Sequence, residues 1–68
     1  MLSDTLKKLS EIYDLPVRVF DRENFLICEF KIKNYNEFFE QGFDFQVEYY
    51  LVNYVNDKEF NIEIFISL

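Results

Sequence analysis

The chain has 68 residues, half of them hydrophobic, with nine Phe, five Tyr and a formal net charge of −6. That length supports one domain, residues 1–68, and so apolar a chain with one Gly and one Pro is neither disordered nor dominated by loops. No run reaches the roughly 18 apolar residues of a membrane span. Nucleic-acid binding would need clustered Lys and Arg, and the absence of histidine removes the usual general base and the commonest metal ligand.

Residues 2–16, LSDTLKKLSEIYDLP, read as a helix. Ser3 is placed to cap it, Asp4 suits the positive end of the helix dipole, and Leu6, Leu9, Ile12 and Tyr13 recur at helical spacing as its core stripe. Pro16 turns Leu15 away from helical dihedrals and ends the element. Residues 17–33 read as a hairpin: Val17 and Val19 alternate with Arg18, and Leu26, Cys28, Phe30 and Ile32 alternate with Ile27, Glu29 and Lys31. A turn within Asp21–Asn24 sets Val19 opposite Leu26 and Val17 opposite Cys28, so that Cys28 points inward as a small buried hydrophobe.

NYNEFFEQG reads as a short helix, with Asn34 and Glu37 as a capping box, Phe38 and Phe39 as anchors and Gly42 just past the end. The rest reads as a long hairpin. Phe43, Phe45, Val47, Tyr49 and Leu51 alternate with Asp44, Gln46 and Glu48; Phe60, Ile62, Ile64, Ile66 and Leu68 alternate with Glu59, Asn61 and Glu63. A two-residue turn at Asn56-Asp57 pairs Leu51 with Ile62, Tyr49 with Ile64, Val47 with Ile66 and Phe45 with Leu68. By that register a one-residue slip sets apolar residues opposite polar ones throughout. The expected fold is α+β, in the order α-β-β-α-β-β: a four-stranded antiparallel sheet of two hairpins, with both helices on one face.

The same register lines the second face of the last hairpin with Glu48, Tyr50, Tyr54, Glu59, Glu63 and Phe65, next to Asp44 and the turn residue Asp57. Charge singles out this region. Residues 1–33 hold six acids and six bases, whereas residues 34–68 hold seven acids and one base, Lys58. Tyrosines and Phe between carboxylates make an aromatic–acidic patch, and aromatic residues are enriched at binding hot spots. The eight residues Asp44, Glu48, Tyr50, Tyr54, Asp57, Glu59, Glu63 and Phe65 are the candidate partner-binding set. The expected partner is a protein with a basic surface, or a second copy of the chain forming a homodimer.

Catalytic, cofactor and metal sites are not expected. One Cys without His builds no zinc site, and the hydroxyls of Ser3, Thr5, Ser10 and Ser67 have no base to activate them. The single Gly42 excludes a phosphate-cradling loop. A lone cysteine, with an N-terminal stretch MLSDTLKKLS that lacks a signal-like apolar run, favours a reducing compartment, and the expected location is cytoplasmic.

In size, acidity, lack of catalytic groups and compact α+β build, the chain resembles small phage-encoded inhibitors, anti-CRISPR proteins and DNA mimics among them. The resemblance implies a non-catalytic protein that occupies the basic site of a nucleic-acid-handling enzyme, of CRISPR or nuclease type, in the cytoplasm of a bacterial host cell. Such inhibitors share no common sequence, so no residue roles transfer from them. Residues 9–30, LSEIYDLPVRVFDRENFLICEF, look like the opening of PAS- or GAF-type sensory domains, which implies instead a small sensory or dimerisation module. An assembly subunit, or the acidic half of a toxin–antitoxin pair, is a third class consistent with the composition.

Overall fold

The computed structural model describes residues 1–39 and 44–68, with Phe38 and Phe39 described by their backbone alone. The expectations for Gly42, for Phe43 and for anchoring by Phe38 and Phe39 lie outside the described residues. The elements run α1 (Leu2–Ile12), β1 (Pro16–Phe20), β2 (Leu26–Lys31), a 3-10 turn (Ile32–Asn34), α2 (Tyr35–Phe39), β3 (Val47–Asn56) and β4 (Glu59–Ile66). The fold is α+β, a four-stranded sheet with two helices. None of the described helices is long and apolar enough to cross a membrane.

The sheet is mixed rather than antiparallel. Its order is β2-β1-β4-β3, with two antiparallel hairpins joined by a parallel β1–β4 pair at the centre. The cause is the connection between the hairpins. Parallel strands need a crossover of a dozen or more residues, and the stretch from Ile32 to Gln46, which includes the 3-10 turn and α2, supplies it. β3 therefore sets off in the same direction as β2, and β4 returns alongside β1.

Helix α1 buries Leu2, Leu6 and Leu9, spaced four and three residues apart on one stripe. Ile12, expected in that stripe, is 70% exposed, and Tyr13 already has an extended backbone. Ser3 does not cap the helix; it lies within the first turn, and the cap comes from elsewhere. The Asp44 carboxylate accepts the Ser3 N–H (3.1 Å) and the Ser3 hydroxyl (2.6 Å), while Leu2 N–H donates to the Phe45 carbonyl (2.7 Å). At the other end the Lys33 ammonium donates to the Ser10 carbonyl (2.6 Å), placing a cation at the negative end of the dipole. Both ends of α1 are thus closed by distant residues. Asn34, expected to open a capping box, closes the 3-10 turn that runs straight into α2.

The core joins Leu2, Leu6, Leu9 and Ile32 to the inner sheet face of Val17, Val19, Ile62, Ile64 and Ile66. Across the central pair Val17 faces Ile62 and Val19 faces Ile64. Each such aliphatic side chain contributes roughly 1.5–3 kcal/mol on burial.

Both hairpin registers differ from expectation. In the first, Val17 faces Phe30 and Val19 faces Cys28, two residues further along β2, with a bulge between Val19 and Phe20. The turn is longer because the Asp21 carboxylate accepts the N–H groups of Glu23 (2.8 Å) and Phe25 (3.0 Å), and Asn24 takes a left-handed φ of 67°. A two-residue shift preserves the face, so Cys28 still packs half-buried against the core. Burial pushes its thiol pKa up, as for an unreactive structural cysteine.

In the last hairpin the turn is Asp57-Lys58, one residue later than expected, with Asn56 facing Glu59 and the Asn56 side chain accepting the Lys58 N–H (2.9 Å). Irregularities in the ladder between Tyr54 and Asn56 and between Val47 and Tyr49 bracket a slipped register: Tyr50 faces Ile64, Val52 faces Ile62 and Tyr54 faces Phe60. Only the Val47–Ile66 pair keeps its expected partner. The slip does not pair apolar with polar throughout, because Tyr49, Tyr50, Leu51 and Val52 are apolar in succession. In the observed register Tyr49, Tyr50 and Val52 find apolar partners, Leu51 meets Glu63, and Asn53 meets Asn61.

Candidate interaction surface

The slip exchanges the two faces of β3. Tyr50, Val52 and Tyr54, expected outside, lie on the inner face with Ile64, Ile62 and Phe60. Tyr49 and Leu51, expected in the core, lie on the outer face with Phe65 and Glu63. The inner residues are nevertheless exposed: Tyr50 is 50% accessible and Tyr54 58%. Length explains this. Ten residues of β3 extend about 33 Å, close to the molecule's 35 Å long axis. The eleven residues of α1 extend about 16 Å, half of that, and its buried leucines pack with β1 and β4 residues.

On the outer face, which carries none of the described helices, three rings from three strands form a ladder. Phe20 stacks on Phe65 at 5.2 Å, and Tyr49 stacks on Phe65 at 4.5 Å, both nearly parallel. Such pairs contribute about 0.5–1.5 kcal/mol beyond their burial. Phe65 thereby holds the face together, and its outer edge is free through Tyr49, 52% exposed. Phe20 was not among the candidate residues. Its place in VRVF, two positions after Arg18 and out of phase with Val17 and Val19, was the available cue.

The charges divide into satisfied and unsatisfied. Arg22 binds Glu48 at 2.9 Å and donates to the Ser67 hydroxyl; Arg18 lies 3.6 Å from Glu29. These are the two ion pairs between side chains among the described residues, both exposed and each worth about 0–1 kcal/mol. Asp44 is engaged in capping α1, and its hydrogen bond from the Ser3 hydroxyl holds its carboxyl below the usual aspartate range. Asp57 accepts the Tyr54 hydroxyl across the hairpin end, which raises the Tyr54 pKa. Glu59 and Glu63 share one face of β4 two and four positions from Asn61 and Glu59 respectively, and neither has a cationic partner among the described residues.

The eight candidate residues therefore do not form one patch. Glu63 and Phe65 share the outer face, Tyr50 and Tyr54 the inner, Asp57 and Glu59 lie at the hairpin end, and Asp44 and Glu48 are tied into the fold near the start of β3. Near the hairpin end an open cleft of about 460 Å³ lies among Pro16, Arg18, Glu29, Lys58 and Phe60. Among the described residues no cluster of His, Cys, Asp and Glu is arranged to hold a metal ion. No protein-family model matches the chain, and no match is found among curated proteins or solved structures.

Proposed function

We propose that the chain is a non-catalytic protein–protein interaction module, an inhibitor of the phage or mobile-element kind that occupies a basic site of a nucleic-acid-handling enzyme in the bacterial cytoplasm. The observation that carries this reading is the last hairpin. Among the described residues its β4 carboxylates Glu59 and Glu63 take part in no ion pair, although Arg18 stands opposite Glu63 on β1, and exposed rings of Tyr49, Tyr54 and Phe60 lie on the same hairpin. The arginines of the first hairpin form their ion pairs with Glu29 and Glu48 rather than with Glu59 or Glu63. Carboxylates on a rigid sheet present fixed negative charge to a Lys/Arg-lined cleft, and the rings add apolar contact. Attraction of this kind speeds encounter and weakens as salt rises.

The test is capture of partners from a bacterial lysate on the immobilised chain, eluted with a salt gradient. A nuclease or similar enzyme released as salt rises is the expected result. The double change Glu59→Lys/Glu63→Lys should reduce its binding at least about tenfold, since charge reversal at a contact costs more than about 1.4 kcal/mol, with unaltered circular dichroism. Binding that survives this double change, or that is indifferent to salt, overturns the reading.

A further inference from the structure

We infer that β3 is a self-association edge: two copies of the chain pair β3 with β3, antiparallel, about a two-fold axis through Val52. The product is one continuous sheet of two four-stranded halves.

Among the described residues β3 is an outermost strand of the sheet, paired with β4 alone. Soluble proteins guard such edges with charge, proline or bulges. The opposite edge, β2, is short and carries Glu29 and Lys31. On β3 the seven residues Tyr49–Val55 carry no charge and no proline, and the irregularities lie at its ends, so Tyr49–Tyr54 run in unbroken register. Six residues are an ordinary strand length.

The occupant follows from exposure on both faces. Tyr49 and Leu51 are exposed outside, Tyr50, Val52 and Tyr54 inside. A partner resting on one face leaves the other bare. A strand laid alongside covers both at once, and to do so it must itself be uncharged and apolar on both faces. A second β3 is such a strand. A basic segment is not, because the carboxylates that would attract it lie on β4 and at the hairpin end. An axis normal to the sheet keeps inner residues with inner ones, as an isologous contact requires. With Val52 at the axis, Tyr50 faces Tyr54 and Leu51 faces Asn53 of the second copy, and Glu48 is directed toward the Asn56 end, away from its own equivalent.

Sedimentation velocity on the purified chain between about 1 and about 500 µM, a range suited to a small interface, tests this. The expected result is reversible conversion from one chain to two. Val52→Lys sets like charges together at the axis and should weaken association about 100-fold. An equimolar mixture of Val52→Lys and Val52→Glu should restore the dimer. A wild-type chain that stays monomeric, or that grows into open-ended species, overturns the inference, as does a folded Val52→Lys variant that dimerises like wild type. Should that variant not fold, hydrogen exchange on the wild type decides: amides of Tyr49–Tyr54 must slow as concentration rises, and exchange independent of concentration overturns the proposal.

Discussion

Asp44 closes the first turn of α1 from 41 residues away. Ser, Thr, Asp and Asn beside a helix start are normally read as local caps, and Ser3 fits that reading; its hydroxyl is instead a donor to Asp44. Asp44→Ala should cost about 1 kcal/mol, as loss of a cap does, lowering the melting temperature by about 4–8 °C for a domain of this size. The sign of the pH effect follows from the lowered carboxyl pKa. The unfolded state binds the proton more readily, so the stabilisation is present above the ordinary aspartate pKa and is lost as pH falls through the lowered one. Thermal melts from neutral to acid pH should show a shallower acid decline for Asp44→Asn than for wild type. Tyr54 shows the opposite sense. Its phenol is held protonated by Asp57, so stabilisation present below the ordinary tyrosine pKa is lost as pH rises through the raised one. Spectrophotometric titration should show the Tyr54 phenol ionising at lower pH in Asp57→Asn than in wild type.

Among the elements, α1, the strands and the first turn were legible because their signals are local: Leu6 and Leu9 at helical spacing, alternation along β2 and β4, and Asp21 with Asn24 between the strands, whereas Leu2 was missed and Ile12 misplaced. The registers were not, because each depends on how many residues a turn consumes. Asp21 binding two N–H groups lengthens the first turn, and Asn56 binding the Lys58 N–H moves the second. A one-residue slip is normally penalised by burying polar groups, but in EYYLVNY the apolar run removes the penalty, so the pattern there could not discriminate. The three-ring ladder was equally invisible, since it joins Phe20, Phe65 and Tyr49 from three strands. Phe65→Ala removes both stacks and should destabilise by about 2 kcal/mol in urea unfolding. Phe20→Ala removes one stack and should cost less.

For the whole molecule, stability scaled by length is roughly 3–10 kcal/mol. Ile64 is fully buried at the centre of the sheet, and Ile64→Ala should cost about 2–5 kcal/mol. The variant should therefore show a sharply lower urea midpoint and a measurable unfolded fraction at physiological temperature. The amino-acid sequence alone determined the class of fold, the order of its elements, the inward set Val17, Val19, Ile62, Ile64 and Ile66, and the concentration of negative charge in the second half. These follow from periodicity and composition, which need no knowledge of what lies next to what. Tertiary structure decided the parallel β1–β4 pairing, through the direction of the crossover; the source of the helix caps, through Asp44 and Lys33; and which face of β3 each tyrosine occupies, through turn length and bulges. It also placed that strand at the edge of the sheet, with apolar side chains exposed on both of its faces.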